Sequence, residues 1–380
     1  MRRRRIAVAI AGFATFINLY TPQAILPAIA GTFGAGPALT GLAITATLLA
    51  VALVAPFAGA VSDRLGRKRL ITSACFILTV PALLIALSPN LPVLIGLRFA
   101  QGLLFPFIFT ITVAYIGEEC DGAEGVRAST SYAMGTIFGG FFGRFAAGVA
   151  TDLAGWQAGF ALVGLLTLFC AIGLALLLPR ERRFRAVSVG WAVWRMHLGN
   201  PRLIATCLIG AGMLFCMVAA FTYANFRLAD APYGLTPGQL GAVFTVYLLG
   251  LVTNPVASRL TIRFGRRATL MMCVGLSLCG LGLTLLDGLA VIIAGMALLS
   301  GGMFVVQTLS LGFIAARIPQ AKSTAVGMYV TSYYVGGAAG GIFPAPLWRL
   351  FGWPGVAGLL LLVALAIVAL ARTAWRNDVA

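Results

Sequence analysis

Nine polar side chains sit inside stretches that are otherwise almost wholly apolar: Asn18, Tyr20, Gln23, Arg98, Gln101, Arg144, Tyr223, Asn225 and Gln307. Amide, phenol and guanidinium groups donate and accept hydrogen bonds, so such a set suits recognition of a small solute. Bond making would need an acid, a base, a nucleophile pair or a metal cluster in the same stretches. None is there. The ten acidic residues are Asp63, Glu118, Glu119, Asp121, Glu124, Asp152, Glu181, Asp230, Asp287 and Asp378, and each falls at or beyond the end of an apolar run. His197 is the one histidine, in the longest polar break, where a solvated or interfacial role is expected. The seven cysteines form no C-x-x-C pair and lie mostly inside apolar runs, which argues against disulfides and zinc alike. The sequence predicts no catalytic residue, no metal and no cofactor. Tyr20, Tyr132, Tyr223, Tyr247, Tyr333 and Tyr334 are further candidates for an aromatic lining.

The elements that position these groups must live in lipid. Apolar residues make up 60% of the 380 and charged residues 10%, with mean hydropathy +0.99. Soluble domains run at roughly 45–50% and 25%. A net charge of +17 would suggest nucleic acid in a soluble protein, but here the basic residues fall in short breaks between apolar runs. No nucleic-acid partner is expected. A span needs about 20 apolar residues, which predicts helices near 6–30, 38–61, 70–88, 91–116, 128–151, 157–178, 202–226, 237–262, 268–287, 289–315, 323–347 and 353–373. The arginines at 2–5 followed by an apolar run imitate a signal peptide. The run from Ile6 to Ala30 is too long for one, so it is read as the first span.

With an inner N-terminus, 22 of the 27 Lys and Arg residues fall on the cytoplasmic side, and only Arg227 and Arg349 outside. The charge bias therefore places both termini in the cytoplasm. Residues 179–201 form a central cytoplasmic loop between halves 1–178 and 202–380, and its Trp191, Trp194 and Met196 suggest a short interfacial helix. Repeats support the halves. Asp63-Arg-Leu-Gly-Arg-Lys68 recurs as Ile262-Arg-Phe-Gly-Arg-Arg267, and Thr130-Ser-Tyr with Gly135, Gly139 and Gly140 recurs as Thr331-Ser-Tyr with Gly336, Gly340 and Gly341. Parallel repeats are the arrangement of a rocking carrier with a central site. A channel would need a filter segment instead. Spans 3, 6, 9 and 12 lack charge and amide groups in their cores and are expected to face lipid. Spans 1, 4, 7 and 10 carry the polar groups and are expected to line a pathway.

Gly59-Ala-Val-Ser-Asp63-Arg64-Leu-Gly66-Arg67-Lys68 resembles the signature loop of the major facilitator superfamily. Arg98-Phe-Ala-Gln101-Gly102 resembles its helix-4 motif. Gly135-x-x-x-Gly139-Gly140-x-x-Gly143 resembles the helix-5 motif of its antiporter branches, with Gly140 where a proline is usual. Tyr20-Thr-Pro22 with Pro27, and Gly143-Arg144 with Trp156, are similar to the twelve-helix drug:proton antiporters and the arabinose-efflux-permease-like group. The resemblance implies an all-α membrane protein of twelve helices in two pseudo-symmetric six-helix bundles. It also implies a monomer in a bacterial inner membrane, exporting a small organic solute in exchange for protons. Uptake or exchange without protons is the alternative. In such a protein Asp63 latches the start of span 11, and Arg67 reaches the acidic end of span 4 at Glu118, Glu119 and Asp121.

Gly135, Gly139 and Gly143, like Gly336 and Gly340, permit close helix approach, either sealing the halves together or packing helices within one. No carboxylate lies inside a span, so proton coupling would fall to Asp152, Asp230 or Glu118. Arg98 and Arg144, each roughly 10 Å deep by the ~1.5 Å rise per residue, predict a cavity that disfavours lipophilic cations. The alternative for both arginines is bonding to backbone carbonyls, or to Asp152.

Overall fold

A computed structural model of the chain describes residues 2–181, 191–318, 320 and 322–375. They are helical almost throughout, and no strand occurs among them. By contact they divide into two units, 2–181 with 234–244, and 191–233 with 245–375.

The first unit holds α1 (Arg2–Leu19), α2 (Pro22–Phe33), α3 (Pro37–Leu65), α4 (Arg67–Leu84), α5 (Leu91–Glu119) and α6 (Gly122–Leu177). The second holds α7 (Trp191–Leu198), α8 (Pro201–Ala229), α10 (Gly250–Leu283), α11 (Leu289–Arg317), α12 (Lys322–Ile342) and α13 (Ala345–Ala374). Between α8 and α10 in the chain, α9 (Pro237–Val243) belongs to the first unit.

Local chemistry sets the starts. Proline stands in the first turn of α2, α3, α5, α8, α9 and α13, where its missing N–H costs nothing. The Asn90 side chain accepts from Val93 N–H at 3.0 Å, and that of Asn200 from Arg202 and Leu203 N–H at 3.1 and 3.3 Å.

Among the described residues nine stretches are long and apolar enough to cross a membrane. That count is not the twelve of the sequence reading. Two of the stretches run 56 and 47 residues, about twice what a bilayer needs. Both contain a backbone break: at Ala154 and Gly155 in α6, and at Gly265 in α10. Gly265 (φ 80°) and its repeat partner Gly66 (φ 87°) both turn the chain through a region that favours glycine. Many large apolar side chains are open, including Leu153 at 82% and Ile262 at 80%. In water such surface would aggregate; in lipid it is the solvated face.

Each unit's core is built by small residues. A Cβ at Gly139 would lie 2.7 Å from the Phe13 carbonyl oxygen, one at Gly340 would lie 2.5 Å from that of Phe215, and Gly135 and Gly336 are tighter still against Ala9 and Ala211. The helix-5 and helix-11 glycines therefore pack α6 on α1 and α12 on α8 within each unit. Gly143 does the same against Ile17.

Two sequence expectations change. Residues 234–244, placed by the sequence in the second half, lie with the first unit. A Cβ at Gly241 would stand 2.7 Å from the Arg144 carbonyl oxygen, and Gly148 meets Pro237 as closely, so α9 rests directly on α6. His197, expected to be solvated or interfacial, is 2% exposed, because α7 packs on α8 and α12 and turns it inward. The side chains of Trp191 and Trp194 lie outside the described ones.

Candidate solute pathway and gate

Asn18 and Leu19 end α1 just before Pro22. A helix would bond the Asn18 carbonyl to the N–H of residue 22, and proline has none. The N–H of Gln23 turns to the Tyr20 carbonyl at 3.0 Å instead of that of Leu19. Two buried carbonyls are thereby orphaned. Arg98 reaches across from α5 to both, donating to Asn18 O at 3.0 Å and Leu19 O at 2.7 Å. It also donates to Ala43 O at 3.2 Å and to the Gln101 side-chain oxygen. Gln101 and Thr167 hold the Asn18 amide in turn, with Thr167 at 2.7 Å. Arg98 is wholly buried; of the two sequence readings, bonding to backbone carbonyls is the one the structure contains.

Arg144, on α6, has a similar fate. It donates to the Gln23 oxygen at 2.8 and 3.1 Å and to the Gly140 carbonyl at 2.5 Å. Its guanidinium lies over the rings of Tyr20 and Phe244, at 4.7 and 4.4 Å, a favourable cation–π placement where water is excluded. In the second unit the repeat partner of Gly140 behaves alike: the Gly341 carbonyl accepts from the Tyr223 hydroxyl at 3.1 Å. Tyr223 and Asn225 are fully buried.

Of the residues expected to line a pathway, Tyr132, Tyr247 and Gln307 are the ones left partly open. Gln307 has neighbours that sequence reading passed over. On α11 it lies beside Thr308, whose hydroxyl donates to the Asn254 oxygen on α10 at 2.8 Å. Two turns up from Asn254, Tyr247 meets the rings of Phe304 and Phe221 edge-on at 5.1 and 4.7 Å. By the ~1.5 Å rise per residue, Asn254 stands about 16 Å from the Gly265 break and Thr308 about 14 Å from the Arg317 end of α11, near the middle of a ~30 Å core. Both are accessible. An amide in mid-span was the available signal.

At the other end of the first unit the signature loop is braced by carboxylates. Arg67 forks onto Glu118 at 2.6 and 3.1 Å. Glu119 pairs with Arg4 at 3.6 Å and Glu124 with Arg5 at 3.5 Å, so these N-terminal arginines do more than set topology. Glu181, to which the sequence assigns no role, accepts from the backbone N–H of Arg67 at 2.9 Å and Lys68 at 3.2 Å, capping α4. A side chain at Gly66 would strike it. Gly59 faces open space and Arg64 is exposed. Asp63 closes the last turn of α3, but its side chain lies outside the described ones, so the proposed latch is not seen. On α6, Asp152 accepts from the Thr236 hydroxyl at 2.9 Å and Gly238 N–H at 3.0 Å, at the start of α9. No group of three or more metal ligands occurs among the described residues.

Comparison with known proteins bears on this architecture. The chain is 30% identical to the inner membrane transport protein YnfM of Escherichia coli (strain K12) over 374 residues, covering 96% of this chain and 89% of that one. It is 29% identical to the uncharacterized MFS-type transporter YybF of Bacillus subtilis (strain 168), over 96% and 92% of the two chains. The fold matches a bacterial homologue of the human lysosomal transporter Spinster, inward-facing and unoccupied, with TM-score 0.80 at 14% identity, covering 99% of this chain and 98% of that one. The model of the Major Facilitator Superfamily matches residues 8–231 and 212–379. With its helices, repeats and sequence relatives in agreement from end to end, this multi-pass membrane protein belongs to the Major Facilitator Superfamily.

Proposed function

We propose that the protein is a secondary carrier that exports a small organic solute by alternating access in exchange for protons. It acts as a monomer in the bacterial inner membrane with both termini in the cytoplasm. The observation that supports proton coupling is Asp152. Its carboxylate holds the start of α9 through two charge-assisted bonds, which are roughly twice as strong as neutral ones. A proton on Asp152 weakens both and loosens α9 from α6, the change a coupling proton has to make. In everted vesicles, compounds whose addition dissipates an imposed pH gradient identify solutes. Asp152→Asn is expected to abolish that response while solute counterflow persists within about threefold, since one uncharged acceptor survives. Gradient-driven export by Asp152→Asn equal to the wild type would reject the coupling role and leave the carrier intact.

The solute is uncharged, with a flat apolar face beside hydroxyl or amide groups. Tyr247 and Phe304 offer ring edges, and Asn254, Gln307 and Thr308 offer hydrogen bonds one to two turns away. A polar pair exposed to hydrocarbon at mid-depth would be costly, so this stripe serves a wet path. Asn254→Ala and Thr308→Ala should each weaken apparent affinity by about 2–10-fold, one neutral hydrogen bond's worth, at unchanged membrane abundance. Unaltered affinity in both would remove the stripe from the pathway. A second reading, uptake or exchange without protons, is favoured by the absence of any carboxylate within the apolar core of a span. Counterflow indifferent to pH gradients would select it.

A further inference from the structure

A cavity of about 510 Å³ opens between α10 and α13, lined by Arg267, Met271, Arg372 and Thr373. Arg267 is in the first turn after the Gly265 break, and Arg372 is in the last turn of α13. The two arginines therefore stand at one end of neighbouring helices, on the side that the charge bias assigns to the cytoplasm. Both are exposed, and among the described residues neither has a carboxylate partner. Two guanidinium groups lining one cavity repel each other unless an anion lies between them. Their planar forks suit phosphate.

The walls change character with depth. Met271 is one turn inward from Arg267, about 6 Å by the helical rise, and Gly275 a turn deeper still has open space where a side chain would stand. On α13, Leu365 is two turns inward from Arg372 and 49% exposed, and Gly358 beyond it is open too. Inward of the cationic rim, α10 and α13 thus present open apolar surface toward the bilayer centre. A free phosphate would use the rim alone; a molecule with an anionic head and acyl chains would use both.

We propose that this cavity is a binding site for an anionic glycerophospholipid, its phosphate between Arg267 and Arg372 and an acyl chain along Met271, Gly275 and Leu365. Native mass spectrometry of the purified full chain, offered phosphatidylglycerol or phosphatidylcholine, tests it. The wild type is expected to retain phosphatidylglycerol about tenfold over phosphatidylcholine, as two arginines near an anionic lipid allow. Millimolar inorganic phosphate should not displace it. The double variant Arg267→Gln/Arg372→Gln should lose the preference, while Arg195→Gln/Arg202→Gln, which removes two charges elsewhere on the same side, keeps it. A thermal melt of each variant shows that it is folded, and an unfolded double variant is replaced by the two single ones, each expected to lose part of the preference. Equal retention of the two lipids, or an undiminished preference in the folded double variant, overturns the site. Displacement by phosphate overturns the lipid as its occupant in favour of the free anion.

Discussion

Replacing Arg98 by glutamine should cost the protein most of its stability and leave the solute preference of any surviving protein unchanged. Pro22 supplies no N–H to the Asn18 carbonyl, and Gln23 gives its own to Tyr20. Among the described residues the Arg98 fork answers Asn18 and Leu19 together, at 3.0 and 2.7 Å, while also reaching Ala43 and Gln101. Each buried carbonyl left without a donor costs about 1–3 kcal/mol. The vacated volume of a wholly buried arginine adds to that. A loss of about 3–5 kcal/mol is expected, similar to breaking a buried ionic contact, and a melting temperature lower by on the order of 10 °C in detergent. Lysine should restore only part, because one ammonium cannot span acceptors arranged for a planar fork. Melting of purified Arg98→Gln and Arg98→Lys checks this. Wild-type melting together with a shifted anion-to-cation preference would return Arg98 to the role of a substrate-selecting charge.

The second large effect lies in the paired glycines. Gly135→Val and Gly336→Val should each abolish recovery of monodisperse protein, and Gly275→Val should not. At Gly135 and Gly336 the added carbon meets the backbone of Ala9 and Ala211 on the facing helix, with the Ala211 carbonyl carbon 2.5 Å away. Overpacking a core costs about 1–3 kcal/mol where side chains can yield. Here the obstacle is main chain, so two helices must part along their length. Gly275 has nothing within reach, and it carries the same β-branched penalty in a helix, so it isolates the packing term. Size-exclusion profiles of fluorescently tagged variants decide the matter. Equal recovery of all three would show that the contacts in α1–α6 and α8–α12 are slack.

Much of this was legible without coordinates. The 60% apolar composition, the spacing of basic breaks and the two repeats are one-dimensional facts. Lipid as solvent leaves a helix few alternatives, because every backbone group must be satisfied within the span. The repeats also carried further than their letters: Gly135 and Gly336 meet Ala9 and Ala211, and Gly140 and Gly341 each offer a carbonyl to a buried side chain. Arg67 could be aimed at the acidic end of α5 because the loop between α3 and α4 resembles the superfamily's signature loop.

What only the tertiary structure decided is which polar groups spend their hydrogen bonds inside the protein and which stand on an open face. Arg98, Arg144, Gln101 and Asn18 looked like pathway residues because buried polarity is costly, and that cost is met as well by a neighbouring carbonyl as by a cavity. The missing N–H of Pro22 is written in the sequence; that a guanidinium 76 positions later supplies the donor is not. Asn254 and Thr308 passed unnoticed for the converse reason. A lone amide and a lone hydroxyl on separate helices gain meaning only when packing sets them 2.8 Å apart on an open face. Asp152 is a charge at a helix end until α9 is seen to rest on α6. Solvent and period act along the chain, so the sequence determined the medium, the helices and the repeat. Hydrogen-bond satisfaction is settled across it, between residues whose separation in sequence says nothing about their separation in space, and so the sites came from the fold.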